Sequence, residues 1–152
     1  MTKTDFIDKT SGKLKLIRIE SDYNQNEMAE ILGVSKKTLV QIEKGRTTLG
    51  WAGAVTLCTI FRDSEVLAMT FGGDPQDIIL SLAFTDYESR EKTLGGKVWW
   101  SNIECKDHYR IQQNIISRHF RILDGQDRRI CSSFDEKYIR KRLQELSREG
   151  KV

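Results

Sequence analysis

Lys36, Lys37 and Gln41 are the residues of this chain whose types and spacing suggest the most specific chemistry. On a helix, positions 36, 37, 41 and 44 gather on one side, and Leu39 and Ile42 on the other. Ammonium groups and an amide on one exposed helix face are suited to the base edges and phosphates of a DNA groove. A lysine-rich face by itself reads as solvated surface. What gives this one meaning is the pattern on either side of it.

The elements that must position it run from Asn24 to Gly45. Asn24 is a candidate N-cap, and Glu27, three residues on, completes a capping-box-like pair. Met28, Ala29 and Leu32 form one apolar stripe, with the small Ala29 where a second helix has to cross closely. Gly33 follows and can take the left-handed conformation that ends a helix without Cβ strain. Val34 plugs the turn, Ser35 caps the next helix, Leu39 and Ile42 face inward, and Gly45 ends it. Two short amphipathic helices about a glycine turn predict a helix-turn-helix, which presents its second helix to the DNA major groove.

On these residues, segment 14–71 resembles the lambda-repressor-like family, the phage repressor/Cro or xenobiotic-response-element-type regulators. The resemblance implies five helices, matched here at about 12–22, 25–32, 36–44, 50–61 and 64–71. It implies base reading by Lys36, Lys37 and Gln41, and phosphate contact by Gln25, with which Thr38, Lys44 and Arg46 are grouped. It also implies a structural ion pair between Arg18 and Glu43, whose joint presence is mutually supporting because an unpaired buried charge is costly. The loop Arg46-Thr47-Thr48-Leu49-Gly50 lacks the proline common in the family, and Trp51 and Gly53 depart from its pattern.

A chain of 152 residues can bury one good core or two small ones, and its net charge of +3 leaves phosphate binding to local clustering. There is no apolar run near the length of a membrane span and no charged-then-apolar leader, so cytoplasmic residence is expected. Three widely spaced cysteines argue against a disulfide framework. Cys105-x-x-His108 has ligand-like spacing, but His119 and Cys131 do not extend it, so no metal and no cofactor are expected.

Gly72-Gly73-Asp74-Pro75 marks a boundary, with the single proline poised to open a helix. The resulting class is α+β. Residues 1–72 make the five-helix DNA-binding domain, and 73–96 a connecting helix and loop. Residues 97–152 make a small antiparallel sheet with one covering helix. In that last part strands are expected over Val98–Ile103, Tyr109–Ile116, Arg118–Leu123 and Arg128–Phe134, then a helix capped by Ser133 and Glu136 with Ile139, Leu143 and Leu146 inward. Trp99 and Trp100 then point to opposite sheet faces, so one of them is either an interface anchor or lies under that helix. Cations outnumber anions between Lys106 and Arg142, which makes either a second DNA-facing surface or arginines paired with carboxylates.

The leading function is a sequence-specific double-stranded DNA-binding regulator, a repressor acting as a homodimer. A protein or small-molecule effector at residues 97–152 would be its further partner, and no membrane is involved. One alternative is an antitoxin whose C-terminal half binds a partner protein. Another is a nuclease or peptidase built on Asp107-His108 and His119 with Asp124. That set lacks a nucleophile elbow, phosphate loop or carboxylate cluster, so no catalytic residue is assigned and the chain is not expected to be an enzyme.

Overall fold

Thr2 opens the first helix: its hydroxyl accepts the N–H of Asp5 at 3.2 Å, and the Asp5 carboxylate accepts the N–H of Thr2 at 2.7 Å. With that reciprocal cap, α1 spans Lys3–Glu20 and not 12–22. Its buried side is Phe6, Thr10, Ser11, Leu14 and Ile17, and the two small polar residues mid-stripe interrupt the apolar period. Ser11 is required there, because its hydroxyl accepts the N–H of Leu49 at 3.0 Å. The computed structural model describes residues 1–84, 86–92 and 98–150 and divides into two units, Met1–Gln76 and Asp77–Val152.

In the first unit, α2 (Gln25–Leu32), α3 (Lys36–Glu43), α4 (Gly50–Ile60) and α5 (Glu65–Phe71) follow the expected helices within a residue at each end. Asn24 and Glu27 form their reciprocal cap, Gly33 ends α2 at φ 70, and Ser35 caps α3. The Glu20 carboxylate at the end of α1 caps α5 from a distance, accepting the N–H groups of Glu65 at 2.8 Å and Val66 at 3.2 Å. Leu14, Ile17, Met28, Leu39, Leu57 and Leu67 are fully buried, with Phe6 lying 5.1 Å from Phe71, ring to ring. The fold class is therefore an α+β chain with an N-terminal helix-turn-helix domain, as expected.

The second unit contains α6 (Pro75–Ala83) almost entirely, then β1 (Glu88–Lys92), β2 (Trp100–Lys106), β3 (Tyr109–Asn114), β4 (Phe120–Leu123), β5 (Arg128–Ser133) and α7 (Glu136–Glu149). The antiparallel sheet runs β1-β5-β4-β3-β2. Segment 73–96, read above as a connector, contributes a helix and an edge strand to this unit. β1 carries no apolar alternation; backbone pairing with β5 makes it a strand. Gly95, Gly96 and Lys97, where the connector was expected to end, lie outside the described residues.

α7 packs on β3, β4 and β5 through Ile139, Leu143 and Leu146, meeting Ile111, Phe120, Ile122 and Cys131. Its cap is Asp135, whose carboxylate accepts from Lys137 and Tyr138; Ser133, the expected cap, accepts from Asp135 instead. β2 begins at Trp100, so Trp99 lies in the turn before it. Cross-strand partners share a face, which places Trp100, Asn102, Gln112, Asn114, Arg121 and Ser132 opposite the α7 side. Trp100 thus does not lie under α7. It packs over the Arg121 guanidinium at 3.8 Å and edge-on to His119 at 4.8 Å.

Candidate nucleic-acid interface

The first turn of α3 presents Lys36, Lys37 and Thr38 to solvent. Ser35 holds that turn, accepting the N–H of Thr38 at 3.0 Å and donating to its hydroxyl oxygen at 2.9 Å. The Thr38 hydroxyl accepts in that bond and keeps its own proton to donate to an acceptor such as a phosphate oxygen. Gln41, one turn on, is half-buried, and Lys44 is exposed at the C-terminal end. Gly45, at φ 72, lets the chain fold back so that the N–H of Arg46 reaches the carbonyl of Gln41 at 3.0 Å. The Arg46 guanidinium also donates to the Gln41 amide oxygen at 3.4 Å. These residues therefore form one continuous exposed strip along α3 and its exit. Among the described residues Lys36, Lys37, Lys44 and Arg46 meet no carboxylate.

Behind the strip, Arg18 of α1 donates through Nε to Glu43 Oε1 at 2.5 Å and through Nη2 to Oε2 at 3.2 Å. The side chains are 13% and 5% exposed, so α3 is fixed to α1 by a bidentate pair in a largely water-free site. Burial opposes the Glu43 charge, but hydrogen bonds from Arg18 and Gln25 outweigh it and hold the carboxyl below the usual carboxylate range. The hydrogen bond to Glu43 raises Arg18 in turn. Gln25 Nε2 reaches Glu43 Oε2 at 2.9 Å. An amide nitrogen has two hydrogens, so this bond orients Gln25 and leaves one N–H for another acceptor.

The basic stretch of the second unit behaves differently. Arg110 pairs with Asp127, Arg128 with Asp124, Arg129 with Asp77, Arg140 with Glu136 and Glu104, and Arg142 with Glu88, Glu145 and Glu149. The charge of these five arginines is spent inside the unit, while Lys106, Arg118, Arg121 and Lys137 of the same stretch meet no carboxylate among the described residues.

Of the residues considered for catalysis or metal binding, His108 and Asp124 line one cavity of about 240 Å³, and the others do not join them there. Asp107 accepts from Ser147, His108 lies against Tyr109 with ring centres 4.1 Å apart, and Asp124 accepts from Arg128. Cys131 is in the core under α7, while His119 points to the opposite face. His119 instead joins Ser117 at 2.5 Å and Asp77 at 2.8 Å. Asp77 also accepts from Arg129 at 2.7 Å and from Ser132 at 2.8 Å. Burial works against the Asp77 charge, yet contacts with His119, Arg129 and Ser132 keep its carboxyl below the usual range. Ser117 and His119 are each 2% exposed, so this chain of bonds ties α6 to β5 and to the approach to β4. Sequence reading missed Asp77; its one signal was an acid beside Ile78 and Ile79 on the buried stripe of a helix.

Residues 14–50 match the family model described as helix-turn-helix, and no curated protein or solved structure matches the chain. The matched segment covers the end of α1, all of α2 and α3 and the loop to α4, the same elements that hold the cationic strip. Among the described residues no helix is long and apolar enough to cross a membrane. Residues 14–50 thus carry a helix-turn-helix similar to that of the lambda-repressor-like family, which marks the chain as a DNA-binding helix-turn-helix regulator.

Proposed function

We propose that the protein is a sequence-specific repressor that binds double-stranded DNA as a homodimer with α3 in the major groove. Lys36, Lys37 and Gln41 read base edges, while Gln25, Thr38, Lys44 and Arg46 contact phosphates. The observation that carries this reading is the contrast in charge use. The cations of α3 and its exit meet no carboxylate among the described residues, whereas Arg110, Arg128, Arg129, Arg140 and Arg142 of the second unit are paired. Unneutralised cations on a short helix anchored by a buried ion pair are what counterion release at DNA requires.

Dimerisation follows from the size of the head, since one such helix reads too few base pairs for useful specificity. The second unit is the part we assign to pairing or to an effector. Selection of bound sequences from a random DNA pool is the test. The expected product is a palindrome whose half-sites lie about one helical turn, roughly 34 Å, apart. A pool that stays random overturns sequence-specific recognition. Sedimentation of the full chain beside a 1–76 fragment locates the contact. A dimeric full chain and a monomeric fragment assign pairing to the second unit, whereas a dimeric fragment assigns it to the head.

A further inference from the structure

We propose that the face of the sheet opposite α7 holds a binding site for a small carboxylate, built on Arg121. This arginine is only 7% exposed, yet its charge is not matched by a carboxylate contact. Its Nε donates to Gln112 Oε1 at 2.9 Å, and its guanidinium plane lies against Trp100 at 3.8 Å. Nη1 and Nη2 have no hydrogen-bond partner among the described residues. The nearest buried acid, Asp77, is already held by His119, Arg129 and Ser132. Burial of this charge without a direct counterion lowers Arg121 to about 10, an unusual state for a guanidinium.

The neighbouring polar groups point to the same ligand class. Gln112 Oε1 is used by Arg121, and Gln112 Nε2 donates to Asn102 Oδ1 at 3.0 Å. Each of these amide oxygens already accepts one hydrogen bond, while the Asn102 amide N–H groups and Arg121 Nη1 and Nη2 remain as donors. The unused donors of the cationic Arg121 ask for an anionic acceptor. Two parallel N–H groups on a plane fixed by Gln112 and Trp100 fit a carboxylate in bidentate fashion. One unmatched positive charge suits a monoanion. A dianionic phosphate would bring a second negative charge into a largely buried site with no cation left to meet it.

The site stands apart from the DNA-binding reading, and its test needs no DNA. The probe is sodium acetate added to the full-length protein, with sodium chloride and inorganic phosphate as controls at matched ionic strength. The buried Nε–H of Arg121 gives a protected arginine side-chain signal in nitrogen-15 spectra, identified by its contact with the Trp100 ring or its loss in Arg121→Lys. Acetate should move this signal along a saturating curve and raise the melting temperature above the chloride control. Arg121→Lys keeps the charge but loses the fork, so acetate binding should weaken about tenfold. A signal that does not respond overturns the proposal, and so does an equal acetate effect on melting in Arg121→Lys. Phosphate binding more tightly than acetate overturns the carboxylate assignment.

Discussion

In the head, a single bidentate pair between Arg18 and Glu43, supplemented by Gln25, fixes one helix to another. In the second unit one carboxylate, Asp77, collects Arg129, His119 and Ser132 from across a sheet. Both arrangements bury charge, yet they leave their surroundings in opposite states. The head pairs Arg18 with Glu43 and Arg62 with Asp74 but keeps the cations of α3 and its exit free of carboxylates, whereas the second unit pairs most of the arginines described above. Net charge could not reveal this division. Whether a cation is available to DNA depends on which carboxylates the fold brings within reach.

The largest way to break the comparison is to empty the hub. Asp77→Ala takes from Arg129, His119 and Ser132 the buried carboxylate they share, so the second unit should lose roughly 3–5 kcal/mol in urea melts. The fluorescence of Trp99 and Trp100, followed in a Trp51→Phe background, reports on that unit. A loss under about 1 kcal/mol would reduce the hub to a surface-like pair. Glu43→Ala should cost the head about 3 kcal/mol, read from Trp51, because Arg18 is left charged and mostly buried.

Recognition sharpens the contrast on the DNA side. Replacing Lys36, Lys37 or Gln41 by Ala should weaken operator binding by about 1–3 kcal/mol each, measured by titration against a selected operator. Gln41→Ala should spare non-specific binding at low salt, and Lys44→Ala should flatten the salt dependence by about one counterion. Arg128→Ala in the second unit should leave that slope unchanged, because its charge is already matched by Asp124.

Acid separates the units more gently. Glu43 and Asp77 both titrate below their unfolded values in the native protein. Their stabilisation is therefore complete above the unfolded carboxylate pKa of about 4 and is lost as pH falls through the lower folded values. Glu43→Gln should flatten the acid limb of head stability without changing that of the second unit, and Asp77→Asn the reverse. A Glu43→Gln head whose acid limb keeps the wild-type steepness would contradict this assignment. The smallest effect belongs to Asp135→Ala, which removes the α7 cap and should cost about 1 kcal/mol in the same melts.

The head was legible because its signals are local. Asn24 with Glu27, Gly33, Ser35 and Gly45 act on residues within one turn, so α2 and α3 could be placed from the string of letters alone. α1 was read short because Thr10 and Ser11 occupy buried positions for reasons of packing and of a bond to Leu49, thirty-eight residues away in sequence. The strands after residue 100 were also recoverable, since apolar residues such as Ile111, Phe120 and Ile122 alternate toward α7.

What the sequence by itself determined is the pair of helices and the donors carried on the second, since capping, helical period and side-chain type are properties of neighbouring residues. Only the tertiary structure decided that β1 is a strand and that segment 73–96 is more than a spacer. It also decided that Asp77 serves three donors, that Trp100 covers Arg121, and which cations stay free. Each of these depends on groups brought together from distant parts of the chain. The free energy of burying a charge, or of pairing an edge strand, is set by those partners and by the exclusion of water, neither of which is written in local sequence.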